Sequence, residues 1–425
     1  MKKLIAVIIA AMAAGGVSAQ QLTPFRFTLE ECLEYAMGNS YTRAAMELGV
    51  RSAEIARDQS RMERLPSVSA SAGQNLLNPH GGNYGASGSM TLYNGGSIDI
   101  GIEQSRLQAE QTAVRAMQYD NTLTINIMGS YFALLGYEEL MRYQESLIAA
   151  GEAQVREGQA RYDQGVILYG DYLMLEAQLA SNRNSAEDTR INRRNELMTL
   201  KGLLSMDLDA PLAVIVPDTT AVESLARLPV MTYYLERAAI SLPDFELLDY
   251  SVELAETSLR LSRSAMMPSL SLSGGLSTGY SGSVRGWGTQ VADNFGQSAS
   301  LSLSVPIFTR GRTRANIRRS EIALQQAELD RMQGELDIQR MLTQNYHNVE
   351  ASLNNFRTLS VREKAYGENL RVFREQFAAG QVRPVDMLQQ ENNYISIMYD
   401  YVQSKYRFML QRKILDVYMG LEITM

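Results

Sequence analysis

Two periodicities alternate along this chain. From Ser67 onward, polar and apolar positions change places at every residue: Ser67, Ser69 and Ser71 stand between Val68, Ala70 and Ala72. The rhythm returns with Ala86, Gly88, Met90 and Leu92 set against Ser87, Ser89, Thr91 and Tyr93. It returns again with Leu270, Leu272 and Leu276 against Ser269, Ser271, Ser273 and Ser277. A fourth segment sets Ala299, Leu301, Leu303 and Val305 against Ser298, Ser300, Ser302 and Ser304. A period of two sends successive side chains to opposite faces of a strand. Each segment predicts a strand of about 9–11 residues, the length and pattern of a membrane β-strand. The polar face carries hydroxyls, not the mixed charges of an ordinary solvated sheet. On that reading Leu270, Leu272, Leu301 and Leu303 face lipid. The Gly/Asn-rich stretches 78–85 and 280–297 read as connecting loops. Tyr84, Tyr93, Tyr280, Trp287 and Phe308 fall near strand ends, where aromatic rings anchor at a membrane interface. A sheet in lipid must close on itself, and the smallest bacterial barrels have about 8 strands. Four strands are too few, whereas three chains of four strands supply twelve.

Elsewhere the period is helical. No proline interrupts residues 96–161 or 312–376, and each stretch could form one helix of roughly 100 Å at 1.5 Å per residue. Leu342, Tyr346, Val349, Leu353 and Phe356 are spaced 4, 3, 4, 3, a coiled-coil seam. Ile127, Tyr131, Leu134 and Met141 share its register, with Glu138 interrupting. Beyond turns at Gly165 and Gly380, antiparallel partners return over 171–204 and 385–419. Shorter helices over 29–37, 40–62, 231–240 and 244–266 precede the strands.

The chain also repeats itself. Leu65-Pro66-Ser67 recurs as Met267-Pro268-Ser269, 202 residues on. At a spacing of 215, Tyr93 matches Phe308, Gly96 matches Gly311, Ile127 matches Leu342 and Tyr131 matches Tyr346. Tyr162 with Phe377, Gly165 with Gly380, Asp171 with Asp386, Leu173 with Leu388 and Glu176 with Glu391 keep the same spacing. The two spacings differ by 13, which places an insertion between the proline and the glycine of the second copy. Two copies make a duplicated domain, not a solenoid. The first copy covers 20–216, with a β-hairpin near 66–93 and a helical hairpin near 96–206. The second covers 217–425, with hairpins near 268–306 and 311–419. A short proline-bracketed strand at 211–217 lies at the boundary, near Val216.

Composition narrows the function. The 425 residues are 45% hydrophobic and 20% charged, which suits a packed protein and not a disordered one. One cysteine, Cys32, excludes a disulfide framework and a thiolate zinc cage. Two histidines, His80 and His347, leave no basis for a histidine-rich metal site. No Gly-x-Ser-x-Gly elbow, His-Glu-x-x-His or phosphate-binding glycine loop occurs, so neither an enzyme nor a cofactor is expected. The 22 methionines are scattered and read as fillers of helical cores, not metal ligands. A net charge of −7 gives no nucleic-acid footprint. Residues 1–19 read as a secretory signal peptide: Lys2 and Lys3, an apolar run over 4–14, and the small-residue site Val17-Ser18-Ala19. Its removal, with Lys2 and Lys3, leaves −9.

Two copies of helix–strand–strand–long helix–turn–helix behind a signal peptide resemble the TolC family of outer-membrane efflux channels. The resemblance covers essentially the whole mature chain. Its sharpest motif is aromatic-x-x-Gly-x-x-x-x-x-Asp-x-Leu, read at Tyr162, Gly165, Asp171 and Leu173 and again at Phe377, Gly380, Asp386 and Leu388. The family implies an α+β membrane protein: a homotrimer whose 12-stranded barrel in the Gram-negative outer membrane continues into a periplasmic α-helical barrel. It implies a passive exit duct of a tripartite efflux or secretion system. A periplasmic adaptor bridges it to an inner-membrane pump of RND, ABC or MFS type. The resemblance places a gate just after the helical turns, at Asp171 and Asp386, with Tyr162 and Phe377 nearby. Gln389 stands where a family member has a second Asp, and Phe377 where it has a Tyr. Val382 takes the place of an Arg, with Arg383 next to it. Rings of carboxylates at a narrow axis favour cations, although both Asp could instead cap helices. The turn segments Gly165, Val166, Ile167 and Leu168, and Gly380, Gln381, Val382 and Arg383, are the implied adaptor contacts. The alternative from a different class is an exported periplasmic coiled-coil scaffold whose serine-rich strands form a soluble sheet.

Overall fold

The computed structural model describes residues 25–75, 77, 81–215, 222–282 and 286–423. The signal peptide, His80 and the copy boundary at Val216 lie outside the described residues. Helices dominate. The elements are β1 (Phe25–Phe27), α1 (Leu29–Asn39), α2 (Tyr41–Met62), β2 (Ser67–Asn75), β3 (Gly81–Tyr93), α3 (Ser97–Asp163), α4 (Tyr169–Leu204) and β4 (Leu212–Val214). There follow α5 (Val222–Leu225), α6 (Met231–Ser241), α7 (Pro243–Ser264), β5 (Ser269–Ser281), α8 (Trp287–Asp293), β6 (Gly296–Ser304), α9 (Arg312–Ala378) and α10 (Pro384–Tyr418). The order helix, helix, strand, strand, long helix, helix thus occurs twice, with α8 inserted between the two strands of the second copy.

The four serine-rich strands form one antiparallel sheet in the order β2-β3-β5-β6. Its register joins the hydroxyl positions of all four strands in rows. Ser67 pairs with Ser89, Ser89 with Ser273, and Ser273 with Ser300. The Oγ atoms of Ser67 and Ser89 lie 3.0 Å apart, those of Ser69 and Ser87 3.1 Å, and those of Ser273 and Ser300 2.7 Å. On the other face Leu272 pairs with Leu301 and Leu270 with Leu303.

The loop expectations need correction. Gly81 to Gly85 lie inside β3, because they pair with β5 from Ser281 to Ser277. A Cβ on Gly81 or Gly85 would sit 3.1 Å from a β5 carbonyl, so this close approach suits glycine. Tyr84 is therefore within the strand, where its hydroxyl donates to Gln74 Oε1 at 3.2 Å. The stretch 280–297 is not a plain loop either. It holds the end of β5, the helix α8 and the start of β6. Thr278 and Asn294 donate to the carbonyls of Val291 and Gly279, which fastens α8 to β5. The insertion thus acquires its own hydrogen bonds.

Next to the sheet, the helices form a layer in the order α2-α3-α7-α9, the same order as the strands they lead into or leave. Farther away, α3 pairs with α4, α9 pairs with α10, and α3 packs against α10. The core lies between these regions. Ile127, Tyr131, Leu134, Leu342, Tyr346, Val349 and Leu353 are all buried there, so the predicted seam packs as a seam. Glu138, its interruption, accepts from Arg193 of α4 at 2.7 Å. The hydroxyls of the matching Tyr131 and Tyr346 donate to the carbonyls of Ile215 and Pro229, at 2.7 and 2.8 Å. β1 and β4, a parallel pair, close the side of this region. Neither β1 nor α5, three and four residues long, was legible as an element, since neither is bracketed by prolines as β4 is.

Candidate membrane sheet and helical gate

The sheet and the helical tips lie at opposite ends of α3 and α9. At the sheet, the apolar face is uncovered. Val68, Leu272, Leu301 and Leu303 are between 44 and 78% exposed, and Leu270 is half-buried. A soluble sheet of this length buries its apolar face; this one presents both that face and two free edges, β2 and β6. Phe308, just beyond β6, is 84% exposed.

At the far end the two helical turns are built alike. α3 and α9 each end in a glycine in the left-handed region, Gly165 and Gly380, both at φ 71°. The Gly165 N–H donates to Tyr162 O and that of Val166 to Arg161 O, each at 2.8 Å. The Gly380 N–H donates to Phe377 O at 2.9 Å and that of Gln381 to Gln376 O at 2.8 Å. This double closure satisfies the last carbonyls of both helices and needs a residue without Cβ. Leu168 and Arg383 then begin α4 and α10 without any side-chain cap. Asp171 and Asp386 occupy the first turn, three residues in, so neither is the capping residue. Their charge faces the positive end of the helix dipole instead.

The tip side chains differ between the copies. In the first, Tyr162, Tyr169 and Tyr172 cluster, with ring centroids 5.3 to 6.3 Å apart. Val166 and Leu168 are exposed and Ile167 is half-buried. In the second, Arg383 donates to both carboxylate oxygens of Asp386, at 3.2 and 3.4 Å. The Asp386 carboxylate and, less strongly, that of Asp171 push the Arg383 guanidinium further above its ordinary range. Both carboxylates therefore bear on one arginine. Gln381 and Gln389 are exposed, and Gln389 donates to Asn393 at 3.2 Å.

Phe377 is buried in a small tip core with Leu175, Met387 and Leu388, against which Val382 packs. Arg161 lies over its ring, 4.8 Å from the centroid, and donates to the carbonyls of Phe377 and Ala378 at 2.9 and 2.8 Å. Farther up, the wholly buried Glu391 accepts from Gln154 at 3.2 Å and Arg374 at 3.0 Å. Its match Glu176 is exposed and accepts from Tyr172 at 2.5 Å. Sequence reasoning missed Arg161 and Glu391 as ties. The signal for Arg161 was a basic residue in the last turn of α3, where a cation also favours the helix end. Among the described residues no helix is long and apolar enough to cross a membrane, and no group of metal-ligating side chains occurs.

Long paired helices with a small apolar-faced sheet at one end make up the architecture. The chain matches the outer membrane efflux protein family over residues 33–205 and 235–420, and it belongs to that family. It is 23% identical over 286 residues to the outer membrane efflux protein BepC of Brucella suis biovar 1. That match covers 67% of this chain and 60% of BepC, so it spans less than two thirds of the relative's length. Its fold is similar to that of the CmeC outer membrane channel of Campylobacter jejuni, with a TM-score of 0.74 at 16% identity over 92% of this chain and 85% of that one. It is also similar to the open state of the MtrE outer membrane channel of Neisseria gonorrhoeae. There the TM-score is 0.71 at 17% identity, over 92% of this chain and 89% of that one.

Proposed function

We propose that the chain is one third of a trimeric outer-membrane channel-tunnel, the passive exit duct of a tripartite efflux or secretion system. One observation carries the reading: a four-stranded sheet with two free edges and an uncovered apolar face continues into a helix layer of the same order. Backbone at a free edge cannot remain unpaired in lipid, so the sheet has to be completed by further strands. Three chains bring the strand number into the range of closed barrels. Residues 20–216 and 217–425 act as two copies of one unit, each supplying one β-hairpin and one helical hairpin. The hydroxyl rows line the lumen, and Leu270, Leu272, Leu301 and Leu303 meet outer-membrane lipid.

The helical tips form the periplasmic gate, with Asp171, Asp386 and Gln389 toward the axis and Tyr162 and Phe377 behind them. The turns at Gly165–Leu168 and Gly380–Arg383 receive a periplasmic adaptor, which links the duct to an inner-membrane pump. The detergent-corrected mass of protein extracted from outer membranes tests the reading. A trimer supports it. A monomer that is soluble without detergent replaces it with the exported scaffold.

A further inference from the structure

The α3–α7 boundary inside one chain is a template for the boundary between chains. This inference rests on the trimer reading. At that boundary Glu103 of α3 and Arg260 of α7 form an ion pair at 2.8 Å, and Gln104 donates to Ser258 at 3.2 Å. Shifted by the two repeat spacings, 215 for the long helix and 202 for the short one, Glu103 becomes Arg318 of α9 and Arg260 becomes Asp58 of α2. Opposite charges recur at the matching positions with their signs exchanged. Gln104 and Ser258 become Arg319 and Ala56.

α2 and α9 are the two outer helices of the layer, and each carries an apolar stripe on its outer side. On α2 these are Tyr41, Leu48, Ile55 and Met62, at intervals of seven and 62 to 78% exposed. On α9 they are Ile322, Leu329 and Leu336, also seven apart and 61 to 65% exposed. Each stripe residue of α9 lies two positions, about 200° around the helix, from Ser320, Arg331 or Gly334. Those three meet Ser262, Asp249 and Leu248 of α7. The stripe therefore points away from the chain's own layer. Its counterparts within the chain are buried: Leu107 and Val114 match Ile322 and Leu329, while Thr257 and Ser264 match Ile55 and Met62. An interval of seven suits a helix-to-helix seam.

We infer that α9 of one copy packs on α2 of a second copy through these stripes, and that Arg318 pairs with Asp58 of that copy across the seam. Arg318 is exposed and has no ion-pair partner among the described residues. Asp58 is exposed and, among the described residues, pairs only with Arg57 and Arg61 of its own helix. The reversed sign keys the assembly. If α9 took the place of α3 against α7, Arg318 would face Arg260, and if α3 took the place of α9 against α2, Glu103 would face Asp58. Either mismatch sets like charges together, so the copies alternate in only one order.

Charge reversal tests this, with trimer fraction measured by light scattering in detergent. Arg318→Asp and Asp58→Arg each lower the trimer fraction about tenfold, since the change is present at all three seams. The double variant, with the pair restored in reverse, recovers trimer. A second measurement does not depend on charge: Ala56→Cys with Arg319→Cys gives an oxidant-dependent covalent trimer on denaturing gels. Trimers that ignore both reversals and form no cross-link would overturn this seam and leave the trimer reading intact. A wild-type protein that is not trimeric would overturn that reading instead.

Discussion

Arg161 and Phe377 join the two helical hairpins. The guanidinium of the one covers the ring of the other and donates to its carbonyl, so a single side chain of α3 closes the end of α9. Arg161 is only 17% exposed and is also held by Glu157 at 2.5 Å. Hydrogen bonds from a charged group contribute roughly 1.5–3 kcal/mol. Arg161→Ala is expected to loosen the tips, seen as faster amide exchange over 376–388 and higher conductance in planar bilayers. Arg161→Lys retains the charge and part of the tie. Unaltered exchange in the Ala variant would remove the tie from the account.

The carboxylates are a separate matter. Asp171→Ala with Asp386→Ala is expected to raise conductance and the entry of large antibiotics several-fold. It should also lower the preference for cations, because a ring of acids attracts them. Unchanged permeability and selectivity would reduce both residues to favourable first-turn charges.

The two turns make a backbone prediction. A Cβ on Gly165 or Gly380 meets nothing within 4 Å, so substitution there costs only the left-handed conformation. Gly165→Ala and Gly380→Ala should each destabilise the local turn by about 1–2 kcal/mol. Gly→Asn at the same sites should cost less. Hydrogen exchange at the tips reads both, and an Asn variant weaker than Ala would contradict the stated cause.

At the other end, Leu272→Lys and Leu303→Lys should impair membrane assembly. A lysine at mid-bilayer on a barrel's lipid face costs roughly 2–4 kcal/mol. Ser271→Lys, on the hydroxyl face, should assemble and alter ion selectivity instead. Heat-modifiable migration of the trimer scores all three, and the reverse pattern would exchange the faces.

Cys32 gives a pH prediction. Burial, helped by the charges of Glu31 and Glu30, pushes its thiol up to about 12. The folded state therefore holds the proton more tightly than the unfolded chain. The stabilisation from keeping the thiol neutral is complete below the ordinary thiol value near 9 and is lost as pH rises from there to about 12. Thiol-specific reagent at pH 8 should leave native protein unlabelled and label it only after unfolding. Rapid native labelling would place Cys32 at the surface.

Much of this architecture is written in the sequence. Strands, long helices and turns follow from Ser-x-Ser alternation, absent prolines and the paired glycines, because each is a local signal. β1 was not legible, since three residues pairing with Leu212–Val214 depend on a partner nearly 190 positions away. The helix at Trp287–Asp293 was hidden in a stretch whose glycines and serines read as loop. At the tips, the glycines announced the turn but not what lies behind it. Arg161 becomes a tie only when α9 is brought beside α3, and Glu391 becomes buried only when α3, α9 and α10 meet. The matched Glu176 holds the same place in the other copy and stays at the surface. Periodicity shows which face a residue occupies, but not which helix arrives there.

The helices α3 and α9 are both 67 residues long, although the chain gains 13 residues between Pro268 and Gly311. All of that gain is absorbed around α8, beyond the far edge of the sheet. The distance from sheet to tip is therefore the same in both copies, and the two tips of the chain stand level. Selection can remodel what the outer rim displays without shortening the reach of either hairpin. The two ends of the long helices are free to answer to different pressures.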